Sequence, residues 1–214
     1  MRLPTMARPD VPTLATLLVA GVLIAGCAGE VTAPPAVQQR SQIGTSPFVP
    51  TDAQKALRGL NDGTYSFRID PEKAQTLALG ASRLSIPADA ICKLGRSGYG
   101  AGHWDDKCDT QEKRFTITAV VRNAATDHPS VSFEPALRFS PDKTVMLYLH
   151  VTNDATLDAN RIVNYCNANK CIDESVTDPS LASQVDLVNR VVFRRIKHFS
   201  GYVITQLADD GLGL

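Results

Sequence analysis

The chain has 214 residues, with 22 Lys plus Arg against 22 Asp plus Glu and hence no formal net charge. That balance gives no electrostatic case for nucleic acid, and the lack of a basic run gives none for an anionic lipid surface. The length fits one folded domain of roughly 150 residues once terminal segments are set aside.

Residues 1–26 form the first segment. Arg2 and Arg8 precede the apolar run "TLLVAGVLIAGC", which ends at Cys27 and is too short for a comfortable membrane span. The stretch "LIAGC" resembles a bacterial lipobox, and the resemblance implies cleavage before Cys27 and diacylation of that residue. Ala28 follows it, which by the sorting pattern of many enterobacterial lipoproteins implies the outer membrane of a Gram-negative envelope. Residues 27–61 read as a flexible tether, since prolines stand at 34, 35, 47 and 50 and large apolar residues are few. Its first 24 or so residues would reach about 30 Å as a flexible coil. A short helical turn is expected at "DAQKALRGL", capped by Asp52 and ended by Gly59 and "NDG".

From residue 62 to 214 the pattern takes a period of two, which predicts an all-β domain, an antiparallel β-sandwich. Tyr65, Phe67 and Ile69 share one face, as do Leu84 and Ile86, and then Phe115, Ile117, Ala119 and Val121. The clearest strand is "TVMLYLHVT", with Val145, Leu147, Leu149 and Val151 directed inward and Met146, Tyr148 and His150 outward. Turn residues punctuate the strands at "DHPS", "SPDK", "TNDAT" and "NANK". His128 is read as a solvated turn residue.

Four more cysteines, Cys92, Cys108, Cys166 and Cys171, follow in a chain expected to leave the cytoplasm, so disulfides are expected. Three connectivities exist, and the local pairs Cys92–Cys108 and Cys166–Cys171 are favoured because each closes a turn-rich loop. The first closure is worth roughly 3 kcal/mol. Zinc is disfavoured, since the spacing lacks paired C-x-x-C elements.

Three stretches resemble the ZU-five domain, the β-sandwich named for zonula-occludens proteins and uncoordinated-type netrin receptors. They are "ASRLSIPADAI" (81–91), "SVSFEPALRFSPDKTVMLYLHV" (130–151) and "HFSGYVI" (198–204). The likeness spans roughly residues 62–207 and implies a sandwich module. Asp89 stands where the family pattern has glycine, and "CKLGRSGYGAGHWDDKC" (92–108) reads as an insertion. The signalling roles of the animal proteins are not implied.

The same resemblance draws attention to His198, Phe199 and Ser200. Some proteins that pair this module with a UPA domain cut themselves at a phenylalanine–serine bond. Here Ser200 Oγ would attack the Phe199 carbonyl carbon while His198 takes its proton, giving an ester for water to hydrolyse. On a regular strand residues 198 and 200 share a face. The preferred expectation is an intact bond, with Phe199 and Val203 in the core, His198 and Ser200 facing solvent, and Gly201 allowing a bend.

The loop "GHWDDKCD" carries His103, Asp105, Asp106 and Asp109, but no recognised metal-ligand spacing, so no metal is expected. Trp104 is expected to pack over the Cys92–Cys108 disulfide, and with Tyr99 it forms a possible binding loop. No elbow, zincin or phosphate-loop motif occurs, and no cofactor is expected. The expectation is therefore a lipid-anchored envelope protein with a non-enzymatic sandwich and an unidentified envelope or protein partner. Self-processing is its alternative.

Overall fold

A computed structural model describes residues 42–47, 62–152, 157–167 and 170–207. Cys27 and the expected helical turn at 52–60 lie outside the described residues. Those described form an all-β domain with three short 3-10 turns and no α-helix.

Twelve strands build two sheets. In chain order they are β1 (Gln42–Ile43), β2 (Gly63–Ile69), β3 (Gln75–Leu79), β4 (Ser82–Ile86), β5 (Phe115–Arg122) and β6 (Ser130–Glu134). The second half comprises β7 (Val145–His150), β8 (Arg161–Cys166), β9 (Cys171–Ile172), β10 (Gln184–Asp186), β11 (Val191–Ile196) and β12 (Gly201–Gln206). One sheet runs β1-β10-β11-β7-β4-β3 and the other β2-β5-β6-β12-β8-β9. Every pairing is antiparallel except β1 with β10. The sheets share one apolar core, as expected for a sandwich.

The period-two reading places the inward faces correctly. Leu84 pairs with Leu147 across β4 and β7, and Ile117, Ala119 and Val121 of β5 are buried with them. The outward face of β7 differs from expectation, because Tyr148 and His150 are buried too. Tyr148 stacks on Phe193 at 5.6 Å between ring centres, and Met146 packs on that small outer cluster. Aromatic and β-branched partners on β11 thus cover the second face of the central strand.

Residues 42–47 belong to the segment read as a tether, yet they extend the edge of the first sheet. Gln42 and Ile43 register with Gln184 and Val185, and Ser46 is buried with its amide donating to Asp186 Oδ2 at 2.7 Å. Burial opposes ionisation of Asp186. Hydrogen bonds from the Asn189 side chain and from the amides of Asn189, Ser46 and Val188 outweigh it and hold the carboxyl below its usual range. A carboxyl depressed by folding stabilises above its unfolded pKa, near 3.9, and that contribution is lost as pH falls through the lower folded value. Exchange protection of the Ser46 amide, corrected for intrinsic rates, is therefore expected to fall below about pH 4. Unchanged protection down to pH 2 would contradict this role for Asp186.

Candidate functional site: an aromatic and ionic cluster around His198

The segment 197–200 joins β11 to β12 as a bend rather than as strand. It is stitched to residues 133–139 by three hydrogen bonds, two of which form the bridge between His198 and Arg138. Lys197 O accepts from the Phe139 amide, the Phe199 amide donates to Leu137 O, and Ser200 O accepts from the Phe133 amide. Because the chain turns here, His198 and Phe199 are both fully buried. The expectation that His198 faces solvent is thus corrected. The phase of β12 also slips by one, so Tyr202 and Ile204 enter the core while Val203 is half-buried.

Gly201 has a steric role as well. A Cβ there would lie 2.9 Å from the carbonyl oxygen of Cys166, with which it is paired across β8 and β12. No side chain fits without moving one strand.

Inside the sandwich, a charged network surrounds the imidazole. Arg194 is on β11 between Val192 and Ile196, on the core-facing side, and its Nη2 donates to Glu174 Oε2 at 2.9 Å. Its Nη1 donates to Val163 O at 2.7 Å. Glu174 opens a 3-10 turn, Glu174–Val176, whose N-cap is Asp173 accepting from the Ser175 amide. The other carboxylate oxygen, Oε1, is 2.9 Å from His198 Nε2. A carboxylate only accepts, so this contact assigns the proton of a neutral His198 to Nε2. Nδ1 then faces Tyr202 Oη at 3.5 Å, while that hydroxyl donates to His198 O at 2.6 Å.

The insertion 92–108 covers this network. The disulfides Cys92–Cys108 and Cys166–Cys171 are both formed, as expected. Trp104, expected over the first disulfide, instead stacks on the His198 ring at 4.0 Å and 17°. Tyr99 meets Trp104 edge-on at 4.9 Å, and Tyr165 of β8 meets His198 edge-on at 4.9 Å. Offset and edge-to-face arrangements of this kind each add about 0.5–1.5 kcal/mol beyond burial. Lys197, beside His198, is bridged by Asp105 and Asp178, each 2.5 Å from Nζ. Burial alone would lower its pKa, but the two carboxylates outweigh it and hold the ammonium above its usual range. Asp105 therefore fastens the loop to the sandwich.

Two hollows flank Tyr99. One, of about 490 Å³, is bordered by Tyr99, Trp104, Tyr165, Ile172, Leu181 and Lys197. The other, of about 640 Å³, is shallower and is lined by the backbone turn Phe199, Ser200 and Gly201 beside Pro135. Between them, Tyr99 Oη donates to the Phe199 carbonyl oxygen at 2.5 Å. Burial, then the neighbouring Tyr165, pushes the Tyr99 phenol up to about 12, so it remains a donor at any physiological pH.

The residues singled out in the sequence thus meet: Tyr99, Trp104, His198, Phe199 and Ser200 occupy one end of the sandwich. The reactive pairing of His198 with Ser200 is not formed, because Ser200 Oγ is directed at Cys166 O, 3.4 Å away. Of the four candidate metal ligands, His103 pairs with Asp106 at 2.8 Å and Asp105 turns to Lys197. Among the described residues no group of three His, Cys, Asp or Glu is placed to hold a metal ion. Sequence reading missed Glu174 and Arg194. The available signal was Arg194 itself, a cation on the apolar face of "VVFRRI", which ordinarily calls for a buried acid.

Disulfides indicate an oxidising, extracytoplasmic compartment. Among the described residues no helix is long and apolar enough to cross a membrane. No protein-family model and no curated protein matches the chain.

Proposed function

We propose that this chain is a lipid-anchored protein of the bacterial envelope, tethered through Cys27, whose ZU-five-like sandwich is a non-enzymatic interaction module. The observation that carries it is the hollow of about 490 Å³ bordered by Tyr99, Trp104 and Tyr165. Rigid aromatics fixed by a disulfide loop offer contact area at little entropic cost, which suits a protein or glycan partner of the envelope. Asp89 supports the family reading: it holds φ 56°, the left-handed conformation that favours the glycine of the ZU-five pattern. Photo-crosslinking from position 99 in the intact envelope tests the module. A discrete adduct is expected, and replacing Tyr99 and Trp104 by alanine is expected to weaken the complex by about 2 kcal/mol, or some thirtyfold. Crosslinking as diffuse as from β2, or an unaffected complex, would reject the hollow as the contact. Lipid anchoring predicts separately that Cys27→Ala releases the protein from the membrane fraction.

Self-processing at Phe199–Ser200 is the second reading, favoured by one contact. The Tyr99 hydroxyl already donates to the carbonyl oxygen that would become an oxyanion. Against it, the His198 proton sits toward Glu174 and its remaining nitrogen faces Tyr202. Intact-mass measurement under denaturing conditions is expected to give one uncut mature chain after prolonged incubation. Loss of Ser200–Leu214, abolished by Ser200→Ala, would reverse the order of the two readings.

A further inference from the structure

Four cationic side chains are buried among the described residues: Arg138, Arg161, Arg194 and Lys197. Three have a carboxylate. Arg161 pairs with Asp127, Arg194 with Glu174, and Lys197 with Asp105 and Asp178. Arg138, only 3% exposed, has none. Its Nη1 donates to Asp106 O at 2.6 Å and its Nη2 to Lys107 O at 3.4 Å, while the buried Nε has no acceptor. A buried guanidinium with only carbonyl partners is an incompletely compensated charge, and such charges are ordinarily paired.

Arg138 also lines an open hollow of about 520 Å³ bordered by two arms of the Cys92–Cys108 loop and by Asp109. Arg96 and Lys107, both exposed, line it as well. Two acids share the lining, but Asp106 is engaged by His103 at 2.8 Å, and Asp109 makes no ion pair with Arg138. Gly98 shapes the wall, since a Cβ there would meet the His103 ring at 2.7 Å. The hollow shares no lining residue with the aromatic one described above.

We infer that this loop hollow is an oxyanion receptor, in which Arg138 is the buried anchor and Arg96 and Lys107 complete the counter-charge for a phosphate group. A planar guanidinium with N–H donors beyond its two carbonyl bonds matches an oxyanion's lone pairs, and together with Arg96 and Lys107 on the same lining it outweighs by one charge the two acids that share it. The proposal is independent of the aromatic hollow's role, because it uses other residues.

Titration of the purified, oxidised full chain with inorganic phosphate at constant ionic strength, followed by NMR, tests it. Saturable shifts are expected at the amides of residues 96–98 and 106–109, with chloride giving none. Parallel titration with glycerol 3-phosphate separates a free anion from a headgroup-like ester as the source: tighter binding of the ester assigns the latter. Arg138→Met is expected to abolish saturation without loss of stability, since an apolar residue of similar length removes an uncompensated charge. Arg96→Gln and Lys107→Gln, at exposed positions, are each expected to weaken binding several-fold, and Asp109→Asn to strengthen it. Linear, unsaturating shifts with both phosphates would overturn the assignment. So would a saturable response that survives Arg138→Met, or that is indifferent to Arg96→Gln if the Arg138 variant does not fold.

Discussion

Replacing Glu174 by alanine is expected to cost about 3–5 kcal/mol, as is typical when one member of a buried ion pair is removed. The reason is what the substitution leaves behind. Arg194 would keep two carbonyl acceptors, Val163 O and Arg195 O, but lose its carboxylate partner, in a position where its side chain has no exposure. His198, equally enclosed, would lose the acceptor that holds its Nε2 proton. Two desolvated donors then have nowhere to turn, because Trp104 and Tyr165 close off the imidazole. Urea unfolding of the variant at pH 7 measures the loss, and a change below about 1 kcal/mol would mean that the network is not what holds this end of the sandwich. A second variant isolates the cause. Changing Arg194, Glu174 and His198 together to methionine, leucine and phenylalanine is expected to be neutral or stabilising by about 1–4 kcal/mol, since it removes the charges and their desolvation together. If the triple variant is as unstable as the single one, shape rather than charge accounts for the loss.

The parts of this protein that were legible in its sequence share a physical basis. Strand faces at β5 and β7 declare themselves because side chains alternate across a pleated strand and only one face must be apolar. Both disulfides were legible too, as local loops. The site was legible only as separate fragments. Tyr99 and Trp104 stood out as loop aromatics, and His198 to Ser200 as a motif, but their contact spans about a hundred residues and leaves no periodic trace. Glu174 illustrates the limit best. It occupies one position of a 3-10 turn, where no repeat marks which residue points inward, and its partner lies twenty residues on. The error in β12 has the opposite origin. Alternation was extended three residues too early, through a bend in which both His198 and Phe199 turn inward, and the rule that placed residues 198 and 200 on one face does not hold off a strand. Residues 42–47 are similar: proline-rich composition describes their surroundings, whereas their attachment depends on a distant acceptor, Asp186.

Phe199→Ala is expected to destabilise the domain by about 3–5 kcal/mol, the range for truncating a fully buried phenylalanine. Its ring stacks on Phe133 at 4.5 Å and meets Phe139 edge-on at 5.0 Å, so one side chain joins β6 to the segment leading into β7. Collapse of the resulting cavity is opposed by the backbone at residue 199, because the Phe199 amide and carbonyl are fixed by Leu137 O and Tyr99 Oη. The loss is therefore expected near the upper end of the range, with an unchanged denaturant slope. Phe199→Leu retains most of the volume and is expected to cost clearly less. A cycle with Phe133→Leu supplies the finer test: a coupling of about 0.5–1.5 kcal/mol is expected for the stacked pair, and additive single effects would assign the whole cost to burial. The same measurement bears on the motif's meaning. A phenylalanine that carries this much packing energy fully accounts for its place before Ser200, and a loss near zero would leave that place to be explained by chemistry at the bond.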